Sequence, residues 1–190
     1  SWAAVEAATS TRVILSANWR EIEDTVSPAA VRALDKEEPV RLRLSVANTG
    51  DYDAYGQRYR LEFGEKNGDC DGAVWQELAT SSANADFQAA SSLYFEGYAS
   101  TTAKLLNAET YIFTPGYILE SANISGAQTL GAGEYTELEY LFQATPGAKA
   151  GATYCYRLTD QGLQFVLCHA PIIKVLPLRQ LPPWPSFRTH

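Results

Sequence analysis

The sequence predicts an all-β fold, an antiparallel β-sandwich with extended segments at both ends. Three observations carry that prediction. Apolar and polar residues alternate with period two in several separate runs, the pattern of strands with one buried face. Clusters of Gly, Asn, Asp and Pro separate those runs at short intervals. No long stretch repeats its apolar residues with the 3.6-residue period of a helix. The chain has 190 residues, of which 46% are hydrophobic and 12% aromatic. That is enough for one ordinary domain with a sizeable core.

The elements follow in chain order. Thr11 to Trp19 reads as an apolar strand carrying Val13, Ile14, Leu15 and Trp19. Pro28 to Leu34 reads as one helical turn or an irregular connection. Val40, Leu42, Leu44 and Val46 then alternate with Arg41, Arg43 and Ser45, and Tyr59, Leu61 and Phe63 alternate with Arg58, Arg60 and Glu62. Residues 79–107 are rich in Ala, Ser and Thr, with islands such as Ser92-Leu93-Tyr94-Phe95, and are expected to form long loops with one or two short strands. Thr136, Leu138, Tyr140 and Phe142 alternate with Glu137 and Glu139, a spacing that suits a solvent-facing sheet surface. Tyr154, Tyr156 and Leu158 form another strand, Leu163 to Cys168 returns after the turn Asp160-Gln161-Gly162, and Ile172 to Leu176 is the last strand. The expected organisation is an extended N-terminal segment over 1–19, a sandwich over 20–176 and a proline-rich tail over 177–190.

The tail is the most unusual segment. Its prolines favour extended or polyproline conformation, which has three residues per turn. Leu178, Leu181, Trp184 and Phe187 recur at that spacing and form one apolar stripe. Such a stripe must rest on its own domain or on a neighbour. The apolar strand at the other end is of the kind that completes the sheet of another copy by strand addition.

Charge is divided along the chain. Residues 51–145 hold 14 acidic and 4 basic side chains, whereas residues 146–190 hold 5 basic and 1 acidic. An acidic body and a basic end are complementary between copies. The net charge of −7 argues against a generic nucleic-acid binder, which needs a basic field. No apolar run approaches the length of a membrane-spanning helix. The sequence contains no methionine, so removal of an N-terminal signal segment, and hence export, is the expectation.

In an exported chain the three cysteines, Cys70, Cys155 and Cys168, suggest a disulfide. Two pairings are open. Cys155–Cys168 would lie across a hairpin with Thr159 opposite Gln164, and Cys70–Cys155 would close a much longer loop. Loop-closure entropy favours the longer one, at about 4 kcal/mol against about 3.

Chemistry is sparse. No HExxH, CxxC, GxSxG or phosphate-binding loop occurs, and only His169 and His190 titrate near neutrality. No catalytic residue, cofactor or metal is expected. Asp51, Asp53, Asp69 and Asp71 alternate in turns, without the spacing of a calcium loop, and read as solvated turns. Asn123-Ile124-Ser125 is a glycosylation sequon by pattern.

The run from Arg41 to Asp51, RLRLSVANTGD, with Ala54 following, resembles the VxVxVxNxGD strand and turn of bacterial and archaeal immunoglobulin-like surface domains. Tyr59 to Gly64, Glu134 to Tyr140 and Ala152 to Thr159 resemble later elements of secreted bacterial sandwich units. The resemblance spans about residues 11–170. It implies an immunoglobulin-like or jelly-roll-like sandwich, export, and a disulfide between Cys70 and Cys155. It supplies no catalytic residue, and Cys168 and the tail depart from it.

The function expected from these features is structural: a subunit of an extracellular filament, pilus-like fibre or sheath. The subunits would join head to tail through terminal segments, with Val13, Ile14, Leu15, Trp19, Leu178, Leu181, Trp184 and Phe187 at the joints. The partner is then a second copy of the chain, alongside other cell-surface proteins or glycans. The alternative is a monomeric adhesin or carbohydrate-binding module that uses Tyr94, Tyr98, Tyr111 and Tyr117.

Overall fold

A computed structural model describes residues 12–20, 26–28, 32–81, 84–95, 97–101, 110–164, 166–167 and 172–177, with backbone alone at 12–20, 26–28, 32, 164, 166 and 167. The strands of the first half are β1 (Arg12–Arg20), β2 (Val26–Pro28), β3 (Arg32–Leu34), β4 (Pro39–Asn48), β5 (Ala54–Gln57), β6 (Tyr59–Glu65), β7 (Gln76–Glu77), β8 (Phe87–Ala89) and β9 (Ala99–Ser100). Those of the second half are β10 (Ile112–Thr114), β11 (Tyr117–Leu119), β12 (Gln128–Leu130), β13 (Glu134–Ala144), β14 (Thr153–Asp160), β15 (Leu163–Gln164), β16 (Val166–Leu167) and β17 (Ile172–Val175).

The fold is all-β, two sheets packed face to face. The first sheet runs β16-β1-β4-β13-β11-β9, with β2 also on β1 and with β8 and β10 also on β13. The second runs β3-β17-β14-β6-β7, with β15 on β14. A small ribbon pairs β12 with β5. The helical turn expected at 28–34 is replaced by strands at its two ends: β2 pairs with β1 and β3 runs parallel to β17.

The long ladders, β1–β4, β4–β13 and β6–β14, are antiparallel. Parallel pairs appear at the margins, where β13 is longer than any partner on its far side. Three short strands meet it there in series: β10 at Ile112↔Glu134, β11 at Ile118↔Glu139 and β8 at Phe142↔Ala89. Two of the three are parallel to it. Gly116 sits in the bend between β10 and β11. A Cβ there would lie 2.2 Å from the Glu137 carbonyl oxygen, so the chain passes this close only without a side chain.

β1 carries a bulge at Leu15, which sets Ile14 opposite Val46 and Trp19 opposite Leu42. The strand is flanked by β4 on one side and by β2 and β16 on the other. The predicted assembly residues Val13, Ile14, Leu15 and Trp19 therefore lie in the chain's own sheet. Leu178, Leu181, Trp184 and Phe187 lie outside the described residues.

Between the sheets, Leu42, Leu44, Val46, Leu138, Tyr140 and Phe142 meet Tyr59, Leu61, Phe63, Tyr154, Tyr156 and Leu158. Phe87 packs edge-on against Phe63 at 5.1 Å, Tyr154 at 4.9 Å and Tyr156 at 5.5 Å. Two of the core tyrosines place their hydroxyls on well-defined acceptors. Tyr140 donates to the Tyr59 carbonyl at 2.9 Å, and Tyr154 donates to Asp86 at 2.9 Å.

Cys70 is bonded to Cys155, with Cα atoms 5.8 Å apart. The alternative hairpin begins as expected, with Thr159 opposite Gln164, but the next described residues belong to β16 in the other sheet. Cys155 faces Gly64 on one side and Ile172 on the other. Cys168 lies outside the described residues. The bond holds the 66–74 loop over β6, where a Cβ on Gly64 would come within 2.9 Å of the Val74 carbonyl oxygen.

The bond closes an 85-residue separation. In the chain-entropy account its loss costs about 4 kcal/mol. Cys70→Ser is expected to lower unfolding stability in urea by that amount; a loss under about 1 kcal/mol would show that loop closure is not what the bond supplies.

Candidate interaction site

β4 and β13 are buried on both faces. Their core faces carry the apolar residues above. Their other faces carry Arg41, Arg43, Glu137 and Glu139, none more than 3% exposed. This corrects the sequence expectation for Glu137 and Glu139, whose period-two spacing suggested a solvated sheet face. The period is right, but a second layer covers that face.

The side chains are fully engaged. Arg43 donates from Nε to Glu137 at 2.7 Å and from Nη1 to Glu139 at 3.0 Å. Arg41 donates from Nη1 to Glu139 at 3.0 Å and from Nη2 to Glu120 at 2.6 Å. Register brings these groups together: Glu139 lies directly opposite Arg43, and Glu137 is opposite Ser45. Glu120 arrives at the end of β11.

The network then holds a loop. Glu120 accepts the Ser92 backbone N–H at 2.7 Å and the Ser92 hydroxyl at 2.7 Å. Arg41 donates to the same hydroxyl at 3.0 Å. The Phe95 ring lies 4.9 Å from the Arg41 guanidinium carbon, a cation–π contact. Ser92 and Phe95 are thus pinned at either end of a short arch. Between them Leu93 is fully exposed and Tyr94 is 67% exposed. Burial pushes the Glu120 carboxyl up, but the two Ser92 hydrogen bonds and the Arg41 charge outweigh it and hold it below its ordinary 4.5.

A second charged cluster lies on the outer face of the other sheet. Glu62 accepts Arg157 Nε at 2.8 Å, Arg60 Nη2 at 2.8 Å and the Thr159 hydroxyl at 3.3 Å. Trp75 covers the Arg157 guanidinium at 4.3 Å. Arg60 Nη1 also bonds Glu77.

The other predicted site residues fall in different places. Tyr98 is half-exposed and packs edge-on with Tyr117 at 6.4 Å, while Tyr111 and Tyr117 are partly buried. Asn123 and Ser125 of the sequon are buried, with the Ser125 hydroxyl accepting the Tyr59 N–H at 2.9 Å. Asp53 accepts the Tyr55 hydroxyl and the Ala132 N–H, and Asp69 accepts the Gly72 N–H, so both serve their turns. Sequence reasoning missed Arg41, Glu120 and Leu93. The island Ser92-Leu93-Tyr94-Phe95 was visible, but nothing in it reveals which of its residues are tied down.

No family model matches the sequence, and no curated protein matches it. Among solved structures the chain is similar to one described as "AvmM Catalyzes Macrocyclization in Alchivemycin A Biosynthesis", at 13% identity, over 86% of this chain and 87% of that one, with a TM-score of 0.31. Likeness at that level carries no argument.

Two outcomes are expected of the network. Arg43→Ala leaves carboxylates buried without their cation and should cost about 3–5 kcal/mol of stability in chemical denaturation. Glu120 has a lowered folded value, so its contribution is present above pH 4.5 and is lost as pH falls through the folded value. Glu120→Gln should therefore flatten the acid limb of the stability–pH curve; an unchanged limb would place the acid sensitivity elsewhere.

Proposed function

We propose that the chain is a structural subunit of an extracellular filament, pilus-like fibre or sheath, joined head to tail through its C-terminal segment. The observation that carries this reading is the pinned arch at 92–95. A loop tied at both ends to a buried ionic network cannot fold Leu93 and Tyr94 back into its own core. Adjacent exposed apolar side chains in a fixed geometry are the makings of a contact surface.

The occupant we assign is the 177–190 segment of the next copy. It follows β17 directly and carries Leu178, Leu181, Trp184 and Phe187 at one spacing. It has two arginines and no acidic residue, against an acidic body. β1 is less suited to exchange between copies, because its release would break eight register pairs with β4 and both flanking contacts. A joint between two different surfaces of one chain repeats without closing unless the rotation happens to make a ring, and so gives open filaments. The disulfide supports an oxidising, extracellular setting.

Light scattering with negative-stain imaging tests this. The full chain is expected to form regular fibres, while Leu93→Asp leaves a folded monomer near 20.8 kDa and deletion of 177–190 leaves a folded monomer lighter by those residues. A full chain that stays monomeric at high concentration, or fibres that persist in both variants, would overturn the reading.

A further inference from the structure

A separate feature lies between the β6–β8 connection and the segment after β11. It is a groove of about 710 Å³ lined by Arg60, Glu77 to Ser81, Tyr98 and Ser121 to Ile124. We infer that this groove binds a neutral saccharide, with the Tyr98 ring as the surface on which a sugar ring lies.

Both walls are fixed by backbone. On one side Leu78 donates to Leu61 at 3.2 Å and Ala89 donates to Ala79 at 2.7 Å. On the other, Leu61 donates to Asn123 at 3.4 Å and Ser121 donates to Ala90 at 2.7 Å. Tyr98 and Ser121 both adopt left-handed backbone, with φ of 66° and 55°, a conformation that costs energy outside glycine. The Tyr98 ring is braced by Tyr117, which is itself pressed on Gly126, where a Cβ would come within 2.8 Å of the tyrosine hydroxyl. The groove is therefore preformed, which lowers the cost of binding.

Its chemistry selects the ligand class. Thr80, Ser81 and Ser121 bring hydroxyls, and Tyr98 brings a half-exposed ring. Asn123, 7% exposed, holds an Oδ1 without a hydrogen-bond partner, and Arg60 Nε likewise lacks one. They are an acceptor and a donor left unmatched among the described residues, just behind the accessible surface of the lining. The charge of Arg60 is already committed, with Nη1 on Glu77 and Nη2 on Glu62. Among the described residues of the lining no free cation remains to hold a phosphate or sulfate. Dense hydroxyl and amide groups, an aromatic face and balanced charge suit a neutral polyol rather than an anion.

The test is a glycan array probed with the full chain, followed by calorimetric titration of the strongest neutral oligosaccharide. Tyr98→Ala is expected to weaken binding by at least about tenfold, and Tyr98→Phe, which keeps the ring, to retain it. Thr80→Trp, a substitution at an exposed position in the lining, should block the groove without burdening the fold. Leu93→Asp should leave saccharide binding intact, which separates this site from the assembly contact. Thermal unfolding of each variant checks that the fold survives. No binding on the array, binding confined to sialylated or sulfated glycans, or binding indifferent to both Tyr98→Ala and Thr80→Trp would overturn the inference.

Discussion

The structure depends on one arrangement of buried charge. Arg41 and Arg43 on β4 face Glu137 and Glu139 on β13, with Glu120 closing the cluster, and all of them are out of water. Burying ions is costly unless each is paired and hydrogen-bonded. Alternative alignments are therefore expensive. A slip of one residue between β4 and β13 would carry the arginines to the apolar face and strand the carboxylates. The apolar alternation of the two strands favours the same register but tolerates a slip of two. Ion pairing tolerates it in one direction, since Arg43 would then face Glu137 and Arg41 would face Glu139, pairs already made on the diagonal in this register. Against a one-residue slip the central ladder is specified twice, by hydrophobic period and by charge.

That arrangement also dictates what lies above it. An ionic row at a sheet surface can remain solvated; this one is covered, and the cover must satisfy it. Ser92 does so with a backbone N–H and a hydroxyl, and Phe95 with its ring face. The outer face of the second sheet makes a useful contrast. Glu62, Arg157 and Arg60 form a comparable cluster, yet its arginines keep appreciable contact with solvent. Its cover is Trp75, on the stretch between the disulfide at Cys70 and β7. The first cover is held by the charges beneath it, the second by a covalent bond at its root.

How much of this was legible in sequence follows from the same physics. β4, β6, β13 and β14 announce themselves because each is long and alternates. The two- and three-residue strands do not, since a run that short has no measurable period. β10 and β11 run parallel to β13 because of where the chain returns, which composition does not encode. The reading of Glu137 and Glu139 failed for a related reason. Alternation reports that the two faces of a strand differ; it does not report whether the polar face is wet. A clue was present in the composition of the pair, since two arginines on one strand and two glutamates on another are spaced alike. The Cys70–Cys155 bond was favoured by loop length, and the structure adds the reason its competitor fails: the hairpin leaves its sheet after Gln164.

The two surface features differ in how they meet solvent, and that difference separates their roles. The arch at 92–95 is convex and presents apolar side chains that gain by being covered. The groove beside Tyr98 is concave and presents polar groups that gain only if a ligand matches them. A convex apolar pair is suited to a large partner with a complementary stripe, where area does the work and hydrogen bonds are few. A concave polar lining is suited to a small partner with many hydroxyls, where misplacing one hydrogen bond costs more than area returns. Ser121 follows Glu120 directly in the chain, so the ionic network that anchors the arch also fixes one wall of the groove. Rigidity arising at the centre of the sandwich is in this way delivered to both surfaces, and each can hold its shape before any partner arrives.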